Sequence, residues 1–130
     1  MSQAKAVEDT RQLALSDAGM ADRQYIKEQL GLRDLQDAYR LAVAVALAKN
    51  LPPAPADTHR STTAGAHVLD SDGSLRASVM LMRDDHDGRP YALIERLAEA
   101  GLRDLAEHLN EGLPIRQYLA AVLPPGEAQN

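Results

Sequence analysis

The chain has 130 residues, with 14 Lys and Arg, 19 Asp and Glu, and no Cys, which gives a net charge of −5. The length fits one domain, and the lack of cysteine excludes disulfides, thiolate metal sites and a cysteine nucleophile. Aromatic residues make up only 3% of the chain, so leucine, alanine, valine and isoleucine must build the core, a composition that favours helices.

The N-terminal segment shows little pattern, and we expect residues 1–20 to be mobile. Residues 21–123 are then expected to form a single domain. Its first helix is predicted over 22–30, with Asp22 as the N-terminal cap and Gly31 as the left-handed residue that ends it.

A second helix is predicted over 34–50, with Asp34 as its cap, and the tight connection makes the pair typical of a helix–turn–helix. This second helix contains the run LAVAVALA and is apolar on all sides. Such a helix must be buried either in the centre of the core or in a subunit interface. We expect a homo-oligomer whose interface is formed by side chains of this run, namely Leu41, Val43, Val45 and Leu47.

The middle of the chain has a different pattern. Residues 51–58, LPPAPADT, predict an extended linker because proline excludes helix. Two segments follow, 62–69 and 75–82, and a Gly-containing turn separates them. In the second segment Leu75, Ala77, Val79 and Leu81 fall on one face of an extended chain, and Arg76, Ser78, Met80 and Met82 fall on the other. Alternation with such a turn is typical of a β-hairpin, which we predict over 62–83.

The C-terminal part begins with a polar loop over 84–90, followed by a long amphipathic helix over 91–110. Gly101 inside that helix indicates a close helix crossing, and Glu95 and Glu99 are expected to be surface charges. A short last helix opens at Pro114, before a frayed tail over 124–130. The predicted fold class is therefore mainly α with one small β-hairpin (α+β) around a helical core.

Candidate chemistry is sparse. The run from Asp84 to Asp87, DDHD, could attract a divalent cation, but four adjacent residues cannot all face one ion, so we predict a solvated loop. An enzyme site assembled from distant residues is the least favoured hypothesis, and its candidates would be His59, His67, Asp84 and His86. We expect a non-enzymatic protein without catalytic residue, metal or cofactor.

Direct DNA contact is a second possibility. The chain has no basic stripe of the kind that phosphate binding favours, and residues 84–130 carry nine acidic residues against four Arg. Arg33 and Arg40 on the second helix, with Lys27 on the first, are the candidate phosphate contacts. They define the alternative function, a dimeric helix–turn–helix-type repressor or antitoxin.

Two segments resemble a known family. Residues 31–51, GLRDLQDAYRLAVAVALAKNL, resemble a helix of the small bacterial proteins encoded with DNA phosphorothioation systems. Residues 91–112, YALIERLAEAGLRDLAEHLNEG, resemble the same family's C-terminal helix through an Ala-Glu-x-Gly-Leu-x-x-Leu pattern that starts at Ala98. Together the two segments cover about a third of the chain, in the family's order.

The resemblance implies an accessory component of a bacterial DNA modification or anti-phage defence cassette, and it implies no catalytic residue. Such a component would be cytoplasmic, with no membrane association. It would act by oligomerising and by docking to a larger nuclease, helicase or modification enzyme.

Overall fold

The fold is mainly helical, with a two-stranded antiparallel sheet, and the predicted α+β class is confirmed. The computed structural model describes residues 8–55, 60–112 and 114–123. In chain order its elements are β1 (Gln12–Ser16), α1 (Asp17–Leu30), α2 (Leu35–Lys49), β2 (Arg60–Gly65), α3 (Ala66–Leu69), α4 (Ser74–Met82), α5 (Pro90–Asn110) and α6 (Ile115–Val122).

The centre of the molecule is the crossing of α2 and α5. Gly101 of α5 lies against the backbone of Ala42 in α2, and a Cβ atom at position 101 would overlap the carbonyl oxygen of Ala42. The close crossing predicted from this glycine is therefore confirmed. Apolar residues from α1, α4 and β1 complete the core around the two helices.

The first two helices have the predicted ends with one exception. Gly31 ends α1 in the left-handed region at φ 64°, and the Asp34 carboxylate caps α2 by accepting from the Asp37 amide at 3.0 Å. The start of α1 was predicted at Asp22 but lies at Asp17, because the Ser16 hydroxyl accepts from the Gly19 amide.

The prediction of a mobile segment over 1–20 is wrong for the part that the structure describes. Residues 12–16 form β1, in which the Leu13 and Leu15 side chains are fully buried. The segment is ordered because β2 pairs with it and α5 covers it. Neither neighbour can be inferred from the local sequence. Residues 1–7 and the predicted tail 124–130 lie outside the described residues.

The hairpin predicted over 62–83 is also wrong. β2 pairs with β1, and its register runs from Gln12 opposite Gly65 to Ser16 opposite Arg60, with a bulge after Leu13. The segment predicted as the second strand of the hairpin is instead helix α4.

The Asp70 side chain explains why that segment is helical. Its carboxylate accepts from the amides of Leu75 and Arg76 at 2.9 and 3.0 Å, which satisfies two amides in the first turn of α4. Leu75 and Val79, four residues apart, then face the core. A pattern that repeats every two residues also repeats every four, so over nine residues it fits a helix as well as a strand.

Candidate functional site

The predicted DNA contacts have different places in the structure. The Arg40 guanidinium donates to the carbonyl of Leu69 at 2.8 Å and pairs with Asp37 at 3.1 Å, so it has partners within the chain that hold the end of α3. Arg33 is exposed in the connection between α1 and α2. Lys27 is half-buried in the last turn of α1. Of the three candidate phosphate contacts, Arg33 is thus the exposed one, and direct DNA contact by all three stays a prediction.

The predicted oligomer interface lies inside the chain. Val43 and Val45 have no exposed surface, and Leu47 is also buried, so the interface prediction is wrong for these three residues. Leu41 is half-buried at the edge of the core. Of the two explanations for the all-round apolar α2, burial in the centre of the core is correct.

The largest exposed apolar side chains cluster at the end of α4. Met80, Leu81 and Met82 are 40%, 85% and 57% exposed, and we call them the α4 tip. Val79, in the preceding position, is fully buried and anchors the helix. Three successive apolar residues thus project from the last helical turn, and together with Asn50 and residues 83–86 they line a cleft of about 720 Å³.

The loop after the α4 tip is held in place by Arg83. Its guanidinium donates to both carboxylate oxygens of Asp85 at 3.0 and 2.7 Å and to the carbonyl of Leu51 at 2.9 Å. This hydrogen-bonded pairing with Arg83 lowers the pKa of the Asp85 carboxyl. Asp84 and Asp87 form no ion pair with the residues that the structure describes, so they add negative charge beside the tip.

Two glutamates expected at the surface instead hold the N-terminal strand. Glu95 is 6% exposed, accepts from the Ala14 amide at 2.8 Å and pairs with Arg60 at 2.5 Å. Glu99 accepts from both the amide and the hydroxyl of Ser16. These carboxylates occupy the edge of β1 where a third strand would pair.

The spacing of Glu95 and Glu99 along α5 matches the spacing of the Ala14 and Ser16 amides along β1. Four residues of helix rise about 6 Å, and two residues of strand span about 6.6 Å. Glutamates at positions i and i+4 can therefore meet amides at positions i and i+2. Only the i, i+4 spacing of the two acids signals this arrangement in the sequence, and the same spacing is common on exposed helix faces.

Two buried polar atoms of α1 and α2 have no hydrogen-bond partner among the residues that the structure describes. The Tyr39 hydroxyl and the Arg23 Nε are buried and have no hydrogen-bond partner within the described ranges. Burial raises the pKa of Tyr39, and the Glu95 carboxylate raises it further. Burial also lowers the pKa of Arg23. The Tyr39 hydroxyl of α2 thus interacts electrostatically with Arg23 of α1 and with Glu95 of α5.

The residues of the enzyme hypothesis do not form one site. Asp84 and His86 line the cleft beside the α4 tip, whereas His67 lines a different cleft of about 670 Å³ with Asp9 and Tyr91. His59 lies outside the described residues. Within those residues, no group of three or more His, Cys, Asp or Glu side chains could hold a metal ion.

A polar cluster fastens α6 to the body of the protein. Lys49 Nζ contacts both Asp104 oxygens at 3.0 Å and the Tyr118 hydroxyl at 3.3 Å, and that hydroxyl also donates to Asp104. The Tyr118 ring packs against His108 in a tilted arrangement, with 4.0 Å between the ring centroids and 35° between the ring planes. Burial and the bond to Asp104 raise the pKa of Tyr118. The cluster is thus a tether, since α6 has no fully buried residue of its own.

Comparisons with protein-family models, with curated proteins and with solved structures find no match to this chain. Among the residues that the structure describes, no helix combines the length and the apolar character needed to cross a membrane.

Proposed function

We propose that this chain is a non-enzymatic accessory subunit of a bacterial DNA modification or anti-phage defence system. It works in the cytoplasm by docking to a larger DNA-acting enzyme. The observation that carries the proposal is the α4 tip, where Leu81 is 85% exposed between two exposed methionines. The resemblance of residues 31–51 and 91–112 to proteins encoded with phosphorothioation systems supports the DNA-modification setting.

The energetics of the α4 tip favour a protein partner. Burying a fully exposed large apolar side chain contributes about 1.5–3 kcal/mol, so Leu81, at 85% exposure, can anchor an interface, and the two partly exposed methionines add smaller contributions. Methionine is flexible and polarisable, which suits a surface that adapts to its partner. The fully buried Val79 supports the tip from below, so this surface is presented on a fixed helix.

The charge beside the tip indicates the chemistry of the partner surface. Asp84 and Asp87 are exposed in the adjoining loop. Negative charge repels phosphate, so this face suits a protein rather than DNA. We assign the tip to an apolar groove with Lys or Arg on its rim, a combination that enzymes with basic DNA-binding surfaces can provide.

The test is co-expression of the full chain with each nuclease, helicase or modification enzyme encoded beside it in its own genome. Binding is measured by co-purification and then by titration calorimetry. Leu81→Glu places a charge at the centre of the tip and is expected to weaken binding at least about 100-fold, because a charge in an apolar groove is strongly disfavoured. Val68→Glu is the matched control, since Val68 is 49% exposed on α3 and does not line the tip cleft.

Three results would overturn the proposal. The first is that none of the neighbouring DNA-acting proteins binds the chain. The second is that the Leu81→Glu chain binds its partner as tightly as the unmodified chain. The third comes from light scattering on the chain alone, where a dimer abolished by Leu81→Glu would mean that a second copy covers the tip.

A second candidate function is direct DNA binding as a repressor or antitoxin. The exposed Arg33 between α1 and α2, with Lys27 nearby in sequence on α1, favours it. Fluorescence anisotropy of labelled duplex at about 50 and 200 mM salt tests it, because phosphate contacts give a steep salt dependence. Binding that Arg33→Glu abolishes would support this function, and no binding at the lower salt would exclude it.

A further inference from the structure

The α4 tip also concentrates the accessible sulfur of the described chain. The sequence has four methionines and no cysteine, so its sulfur chemistry is confined to thioethers. Met80 and Met82 are 40% and 57% exposed. Met20 is half-buried, and its Sδ accepts a hydrogen bond from Arg23 Nη2 at 3.3 Å, which engages one of its two lone pairs. Met1 lies outside the described residues.

From this placement we propose that Met80 and Met82 form an oxidation site that controls docking through the α4 tip. The inference rests on the proposed function for its effect on binding, whereas the selectivity of the oxidation is independent of any partner. The reactant at this site is a two-electron oxidant of the peroxide type.

The chemistry is balanced with hydrogen peroxide as the oxidant. A lone pair on Sδ attacks one peroxide oxygen, an S–O bond forms and the O–O bond breaks. The sulfur is oxidised by two electrons to the sulfoxide, and the second oxygen leaves as water after it takes up the proton released from the first. The reaction needs a solvent-accessible thioether and no catalytic residue. The exposed side chains of Met80 and Met82 provide such thioethers.

Sulfoxide formation changes the surface at the positions that matter for docking. Met80 and Met82 flank Leu81, so both sides of the most exposed apolar residue become polar. Each new S=O group is a strong acceptor that an apolar groove would leave without a donor. Oxidation therefore weakens docking, and reduction by methionine sulfoxide reductases restores it.

Peptide mass spectrometry of the full chain during titration with hydrogen peroxide tests the site itself. Met80 and Met82 are expected to gain one oxygen each at least about five-fold faster than Met20. The oxidised chain is also expected to elute earlier from a phenyl column, which reports the apolar surface without any partner. The control is Met80→Leu with Met82→Leu, which keeps the surface apolar and should show no change in elution.

The binding arm uses the partner identified by co-expression. We expect oxidation to weaken binding at least about ten-fold, sulfoxide reductases A and B with dithiothreitol to restore it, and the double leucine variant to bind without sensitivity to peroxide. If Leu81→Glu abolishes binding but the oxidised chain still binds normally, the oxidation inference is wrong and the docking function stands. If no partner is found, the docking function is wrong, and equal oxidation rates at Met20 and the tip would separately overturn the site.

Discussion

Gly101 and Ala42 meet backbone to backbone where α5 crosses α2, at a separation that leaves no room for a side chain at position 101. Both helices pass through the core at this point, so the contact sets the distance between the two helices that contribute the most buried residues. A glycine inside a helix costs about 1 kcal/mol relative to alanine, and here the close packing of the crossing offsets that cost.

Gly101→Ala should therefore destabilise the protein even though alanine is the better helix former. Forcing a methyl group against the Ala42 carbonyl separates the helices, and overpacking of this kind costs about 1–3 kcal/mol or more. Urea unfolding followed by circular dichroism measures the change. Ala42→Gly in the same background should not restore stability, because the clash is with the carbonyl rather than the Cβ. A Gly101→Ala chain at least as stable as the original would contradict the close crossing.

Glu95→Ala is expected to cost about 3 kcal/mol, because breaking a buried ion pair leaves the remaining charge uncompensated. It removes the acceptor for the Ala14 amide and the partner of Arg60 together. Glu107→Ala, at an exposed position on the same helix, should change stability by less than about 0.5 kcal/mol. A double-mutant cycle with Arg60→Ala isolates the coupling between the two charges. Additive effects in that cycle would show that the pair does not hold β1 in solution.

The alkaline limb of the stability curve should depend on Tyr91. Its hydroxyl donates to the Asp70 carboxylate at 2.8 Å, and burial together with this bond raises the pKa of Tyr91 to about 12. Because the folded-state pKa is above the unfolded value of about 10, the stabilisation is complete below pH 10. It is lost as the pH rises from 10 through 12, where the unfolded state holds fewer protons.

Denaturant unfolding at pH 9, 10 and 11 tests this expectation on the original chain and on Tyr91→Phe. The variant should be less stable at pH 9 but lose less stability between pH 9 and 11. Equal slopes for the two chains would show that Tyr91 does not contribute to the loss of stability at alkaline pH.

Tyr118→Phe should loosen α6 while leaving the core intact. The substitution removes the hydroxyl that contacts Lys49 and Asp104, at a cost of about 1 kcal/mol. Hydrogen exchange should therefore accelerate in α6 but not in α2 or α5. Tyr25→Phe on α1 removes the same atom elsewhere and serves as the control. Unchanged exchange in α6 would mean that its apolar contacts alone hold the helix.

The sequence predicts those parts of the fold that depend on local signals. Gly31 and Asp34 act through neighbouring backbone groups, and the buried face of α5 repeats with the helical period, so the end of α1, the start of α2, the helix α5 and the fold class are correct. The pattern of the α4 segment predicts a strand as readily as a helix, because Leu75 and Val79 fit both the two-residue and the helical period. Its helical state depends on the Asp70 carboxylate.

The parts that could not be predicted depend on contacts between distant residues. The strand at 12–16 needs β2 and α5, and nothing in its local pattern separates it from a loop. The α4 tip is visible only once Val79 is known to be the buried residue of its helix. In the sequence alone, Met80 and Leu81 belong to an ordinary apolar run.

The two glutamates that hold β1 also determine when the protein can fold during its synthesis. Ala14 bonds to a residue 81 positions later and Ser16 to one 83 positions later. On the ribosome the N-terminal strand therefore leaves the exit tunnel long before its binding groups exist, and Leu13 and Leu15 stay uncovered until α5 has emerged. The native contacts of β1 with α5 can therefore form only after residues 95–99 have been synthesised. A partner that binds the nascent chain before α5 is synthesised would therefore bind it before β1 has its native contacts with Glu95 and Glu99.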